Sequence, residues 1–226
     1  MLKRFARSAL PALLSLALGS PLALAQTTPP ATPAPAPPPA AATPAPTPAL
    51  VRVSIVTSEA TIVLALEKDR APKTTANFLR YVDGKRYDGQ IFYRAFDYGD
   101  NGGMIQGGIR MTTKPLFPPV AHEPTSQTGL HHVDGTISMA RLEPGSARTD
   151  FFILAGPIPG FDADPAAPVS NGGDNLGFAA FGHVVEGMDV VRKIMKAPRS
   201  PTAGDGPMKG QMLDPTVKIL TVRRTP

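Results

Sequence analysis

The side chains able to do chemistry in this chain are few, and their spacing removes the common choices first. Cysteine is absent, which excludes thiol nucleophiles, disulfide scaffolds, zinc ribbons and a lipidated N-terminal cysteine. The four histidines, His122, His131, His132 and His183, form no His-Glu-x-x-His pattern, and neighbours such as His131 and His132 point to opposite sides of an extended chain. No metal and no cofactor are expected. Asn101-Gly-Gly-Met-Ile-Gln-Gly-Gly108 lacks the Gly-Lys-Ser/Thr ending of a phosphate loop and precedes no helical pattern, and no Gly-x-Ser-x-Gly elbow offers a serine nucleophile. Asp162, Asp164, Asn171 and Asp174 share a Gly/Pro-rich loop, but their spacing is not that of a twelve-residue calcium loop, and we read them as a solvated loop.

These residues must be positioned by strands. Val51 to Val56 and Thr61 to Leu66 alternate, are rich in β-branched residues and are joined by a turn at Thr57 to Ala60, which predicts a hairpin. Six further strand-like runs follow at 91–96, 104–106, 135–140, 150–154, 179–185 and 216–222, separated by Gly, Pro, Asp and Asn clusters. Two helices fit between them. One starts near Asp69 to Pro72 and stops at Asp83-Gly84; the other spans about Gly187 to Lys196, with Met188, Val191, Ile194 and Met195 at helical spacing and Pro198 beyond. Eight strands and two helices predict a mainly β fold, a closed eight-stranded antiparallel barrel capped by two α-helices, since closure removes exposed edges.

The N-terminus reads differently. Lys3, Arg4 and Arg7 precede the apolar stretch Ala9 to Leu18, and Ala23-Leu24-Ala25 has the small-x-small form of a cleavage site, so residues 1–25 are read as a signal peptide with Gln26 as the new N-terminus. Residues 26–49 are almost only Ala, Pro and Thr, a composition with nothing to bury, and are read as a disordered linker. The folded domain is then 50–226. A bacterial periplasmic location is expected, with secretion as the second choice, and no membrane span is expected in the mature chain. The formal charge is +5, but removing those three signal residues from 23 basic ones leaves 20 against 18 acidic, without a basic stripe; no nucleic-acid partner is expected.

Five short runs remain: Phe92-Tyr93-Arg94, Met104-Ile-Gln-Gly-Gly108, Gly135-Thr-Ile-Ser-Met-Ala-Arg141, Phe151-Phe-Ile153 and Phe181-Gly-His-Val-Val-Glu-Gly-Met-Asp-Val-Val191. In this order they resemble the cyclophilin family of peptidyl-prolyl cis-trans isomerases, from about Val51 to Val222, and Ala71 to Phe78 is similar to the family's first helix. The resemblance implies the same eight-stranded barrel, with proline-containing polypeptides as partners. It implies Arg94 as the catalytic arginine and Gln106 as the glutamine that holds it and touches substrate. Met104 and Phe152 would be pocket walls, with ordinary core packing as the alternative for both. Ala140 and Arg141 would form a backbone-contacting edge, Phe161 would stand where the rim aromatic is often Trp, and Phe178 where His or Tyr stands. A monomer is expected, and Phe161 in place of Trp implies weak cyclosporin binding.

The implied chemistry has a physical basis. Rotation about a peptide bond costs ~18 to 20 kcal/mol because the nitrogen lone pair is delocalised. In the twisted amide the nitrogen regains that pair and accepts a hydrogen bond, so a fixed guanidinium gains strength only in the transition state. Three departures bear on this. Tyr93 replaces the family's usual His, and the insert Ala95 to Gly103 puts Gly103 where a pocket Phe belongs, which predicts a missing wall unless Phe96 or Tyr98 replaces it. Asp150 replaces the Gln before Phe-Phe, and we expect it to line the substrate site and to pair with Arg94 or Arg141, competing with substrate. These departures leave open a weakly active or inactive module that binds Pro-containing peptides as a chaperone or assembly factor; a third reading, a structural envelope protein, rests on the Pro-rich tail and loops as its contacts.

Overall fold

The computed structural model describes residues 50–97, 99, 102–167 and 174–226. Residues 1–49, read above as signal peptide and linker, and with them Tyr98 and Asn171, lie outside the described residues.

Eight strands form a closed ring. They are β1 (Leu50–Thr57), β2 (Thr61–Glu67), β3 (Ile91–Asp97), β4 (Gly103–Gly108), β5 (Thr136–Met139), β6 (Phe151–Ala155), β7 (Ala179–Glu186) and β9 (Met212–Arg224), in the order β1-β2-β7-β5-β6-β4-β3-β9, with β9 pairing back to β1. Every pairing is antiparallel, and β8 (Arg199–Ser200) is a two-residue edge on β9. Helices α1 (Pro72–Asp83) and α3 (Met188–Met195) occupy the expected places, and a one-turn helix α2 (Thr125–Thr128) was not anticipated.

Packing follows from the two periodicities. Alternate strand residues, among them Val53, Ile55, Phe92, Ile105, Ile137, Ile153 and Phe181, fill the barrel, joined by Phe78, Tyr81 and Val82 from α1 and Val190, Val191 and Ile194 from α3. Side chains of this kind contribute about 1.5 to 3 kcal/mol each when fully buried. Helix α1 begins with Pro72 and carries no capping side chain of its own. Its orphan N–H groups are met from the long β4–β5 connection: buried Glu123 accepts from the Lys73 and Thr74 backbone N–H at 3.1 and 2.7 Å and from the Thr74 hydroxyl at 2.7 Å. That contact ties the loop across the outside of the barrel to the helix.

Candidate active site

A one-residue irregularity in β3 aims the site. Phe92 pairs with Gly107 and Arg94 with Gln106, so Tyr93 is an extra residue in the ladder. Without it, Phe92 and Arg94 would share a face; with it, Phe92 and Ala95 point into the core while Arg94 and Phe96 face outward. The ladder then sets Arg94 beside Gln106, Gln106 beside Phe152 and Phe152 beside Ser138, with Phe96, Met104 and Leu154 in the adjoining row.

Phe96, Met104, Phe152 and Leu154 form a second apolar cluster, separate from the barrel core, with Ala140, Ile158, Phe161 and Phe178 packed against it. Met104 and Phe152 are therefore walls on the outer face of the sheet and not core residues. The rings of Phe152, Phe161 and Phe178 meet edge to face, with centroids 5.0 to 5.4 Å apart. The expected gap at Gly103 does not arise. A Cβ there would stand 2.3 Å from the Phe96 carbonyl oxygen and 2.5 Å from Met195 Sδ, so the position has no room for a side chain, and Phe96 supplies the apolar surface instead.

Arg94 lies at the edge of this apolar floor. Its Nη1 donates to Gln106 Oε1 at 2.8 Å and its Nε to Gln211 Oε1 at 2.8 Å, while the guanidinium carbon is 5.4 Å from the Phe96 ring centroid. Two amide oxygens from opposite sides thus fix the plane of the cation. Gln211 was not foreseen; its signal would have been a polar residue just ahead of the last strand, too common to single out.

One expectation about charge is corrected. Asp150 pairs with neither Arg94 nor Arg141: it accepts from the Tyr93 hydroxyl at 2.8 Å and lies 3.8 Å from Arg110. Arg141 turns its guanidinium to residues 174 and 177. It forms a two-pronged pair with Asp174, both bonds 2.7 Å, donates Nε to the Gly177 carbonyl at 2.8 Å and lies 5.5 Å from the Phe178 ring, so it anchors the loop that carries Phe178. Arg141's bond, and then the Leu176 N–H, hold the Asp174 carboxyl down at about 2. Ala140 donates its N–H to the Asp150 carbonyl at 2.8 Å.

Behind the aromatic wall, His131 and His132 converge where opposite directions were expected, because their loop is not extended. Both reach Asp162, His131 Nδ1 at 2.9 Å and His132 Nδ1 at 2.6 Å, and His132 Nε2 lies 3.0 Å from Ser138 Oγ. An acceptor-only carboxylate puts the His132 proton on Nδ1, so Nε2 accepts from Ser138. Burial lowers the pKa of His132, against the opposing pull of Asp162. Ser138 and His132 are both buried beneath Phe152, out of reach of a substrate, and serve as support.

The nine residues singled out from the sequence, Arg94, Gln106, Met104, Ala140, Arg141, Asp150, Phe152, Phe161 and Phe178, all line one cleft of about 880 Å³. A smaller cavity of about 520 Å³ beside the end of α3 is lined by an Asp134–Arg192 ion pair and Lys196 and lacks aromatic walls. Among the described residues no cluster of three His, Asp or Glu side chains is placed to hold a metal ion.

Comparison with known proteins agrees with this architecture. Residues 52–224 match the family model for cyclophilin type peptidyl-prolyl cis-trans isomerase/CLD. The chain is 40% identical over 146 residues to peptidyl-prolyl cis-trans isomerase A of Dickeya dadantii, covering 63% of this chain and 70% of that one. It is 36% identical over 146 residues to peptidyl-prolyl cis-trans isomerase B of Escherichia coli, covering 63% and 82%. A crystal structure of a Cryptosporidium parvum cyclophilin type isomerase, solved in the presence of the dipeptide Ala-Pro, shares the fold with a TM-score of 0.60 at 19% identity, over 77% of this chain and 99% of that one. The chain belongs to the cyclophilin-type peptidyl-prolyl cis-trans isomerases.

Proposed function

We propose that this chain is an exported isomerase that speeds X-Pro rotation in polypeptides folding outside the cytoplasm, with the periplasm as its compartment. The observation that carries the catalytic part is the fixed guanidinium of Arg94 at the rim of an apolar, aromatic floor. The proline ring seats against Met104, Phe96, Phe152 and Phe161 while the acyl side of the bond turns. Arg94 then donates to the nitrogen as its lone pair localises, a bond that strengthens only in the twisted state. Gln106 and Gln211 remove the entropy of placing that donor beforehand. No nucleophile or proton transfer is needed.

Export rests on the reading of residues 1–25 as a cleavable signal, and residues 26–49 would tether the isomerase domain, 50–226, away from its surroundings. The catalytically inert peptide-binding alternative drew on Gly103 and Asp150. Phe96 supplies the wall and Asp150 is engaged by Tyr93, so neither residue now favours it. The test has two arms. The mature protein recovered from a periplasmic fraction should begin at Gln26, and it should shorten the proline-limited phase of a refolding exported protein, which takes about 10 to 100 s uncatalysed. An unprocessed cytoplasmic chain would overturn the location, and an unchanged slow phase the activity.

A further inference from the structure

Two of the departures from the family pattern, Tyr93 and Asp150, meet in one hydrogen-bonded unit that ends on the catalytic arginine. Arg94 Nη1 donates to Gln106 Oε1 at 2.8 Å, Gln106 Nε2 donates to the Tyr93 oxygen at 2.7 Å, and the Tyr93 hydroxyl donates to Asp150 Oδ2 at 2.8 Å. Asp150 is itself held: its Oδ1 accepts from the Thr149 hydroxyl at 3.1 Å, and Arg110, stacked 4.6 Å above the Tyr93 ring, reaches to 3.8 Å from Oδ2. The backbone leaves room for it, since Gly108 has no Cβ where one would stand 2.1 Å from Asp150 Oδ1.

The direction of every bond in this series is determined by its ends. A guanidinium only donates, and an ionised carboxylate only accepts. Asp150 forces the Tyr93 proton toward itself, so the phenol oxygen must accept from Gln106, and the Gln106 amide must then turn its oxygen to Arg94. Arg94 sets only its own end: without a fixed acceptor at position 93 the Gln106 NH₂ has no obligate partner, and a flipped amide would set that NH₂ against the guanidinium. His and Gln at positions 93 and 150 can each both donate and accept, so the sense of the series would then be set from the Arg94 end alone, where Tyr and Asp set it from both ends. The insertion in β3 is what makes the contact possible, because it brings Tyr93 to the cleft side next to Arg94. Burial first, and then the Asp150 charge and its hydrogen bond, push the Tyr93 hydroxyl well above its ordinary value, so it stays a donor at any working pH.

We propose that Tyr93 and Asp150 are positioning residues for the isomerase reaction: together they lock the Gln106 amide with its oxygen toward Arg94 and so hold the transition-state donor in line. This rests on Arg94 being that donor. Neither residue need touch the substrate, which separates this role from that of the pocket walls.

The test is kcat and KM for a proline peptide with wild type, Tyr93→Phe, Asp150→Ala, the double variant and Arg94→Ala, alongside melting temperatures. Tyr93→Phe keeps the ring and removes the hydroxyl, and should lower kcat about tenfold, the worth of about one hydrogen bond, with KM changed less than about twofold. Asp150→Ala should act the same way by at least about threefold, and the double variant should be no slower than Tyr93→Phe. An unchanged kcat in both single variants, a change confined to KM, or losses that multiply in the double variant would overturn the proposal. If Tyr93→Phe melts below the assay temperature, Asp150→Ala alone decides. Full activity in Arg94→Ala would instead overturn the mechanism on which the proposal rests, so the two failures are distinct.

Discussion

Nε of Arg94 donates to Oε1 of Gln211 at 2.8 Å, joining two residues 117 positions apart. Gln211 is steadied in turn by its Nε2 donating to the Pro207 carbonyl at 2.8 Å. The segment ahead of the last strand therefore takes part in the site by holding one edge of the cation. Replacing Gln211 with Ala should reduce kcat about three- to tenfold with little change in KM, as expected for loss of one positioning bond. Steady-state kinetics would show this, and an unaltered kcat would mean that Gln106 alone suffices.

Phe96 takes over apolar surface that Gly103 has no room to provide. Truncating a buried Phe to Ala costs about 3 to 5 kcal/mol in a closed core, and less where a cleft opens on one side. We expect Phe96→Ala to raise KM for proline peptides several-fold and to lower the melting temperature, and Phe96→Leu to restore most of both. Peptide titrations with the two variants separate this from a role in orienting Arg94, which would appear in kcat.

The loop that carries Phe178 is pinned by Arg141 and Asp174, and the pinning depends on acid. The folded carboxyl titrates at about 2 and the unfolded one near 3.9, so the contribution is complete above about pH 4 and is lost as pH falls from there toward 2. Asp174 is about one-third exposed, 32% by side-chain area, which limits the pair to about 1 kcal/mol. Urea unfolding should find Asp174→Asn less stable than wild type by that amount at pH 6, with the gap closing below pH 3. A constant gap would show that the carboxylate charge is not involved.

His132 shifts stability in the same direction, from a different cause. Burial lowers its folded pKa below the unfolded value of about 6.5, so the neutral ring stabilises the fold above that pH, and stability falls as pH drops below it toward the folded value. Its ring lies 6.0 Å from Phe152, so charging it disturbs the support of the cleft wall. Unfolding midpoints measured between pH 7 and 5 should slope downward in wild type and flatten in His132→Gln; equal slopes would contradict this.

What could be read from the residues alone depended on how local the signal was. The hairpin β1–β2, strand β7 and both long helices announce themselves through alternation, three-and-four spacing and bounding Gly and Pro. The cleft residues came from the order of five short motifs, since strand alternation cannot distinguish a wall such as Phe152 from a core residue such as Ile153. Three features were out of reach. The extra residue at Tyr93 reverses the parity of β3 without any compositional mark, Glu123 caps a helix 50 residues upstream, and the partner of Asp150 is decided by that same reversal. Asp150 could be seen as a misplaced charge, but not as an anchor.

The most direct measurement is exchange NMR on an Ala-Pro-Phe peptide with the purified domain and its Arg94→Ala variant, read against an uncatalysed time of about 10 to 100 s. The account expects cis/trans exchange to be accelerated by the wild type and reduced by at least about a hundredfold in the variant, with peptide still bound. Equal acceleration by both proteins, or peptide shifts without acceleration by the wild type, would contradict it.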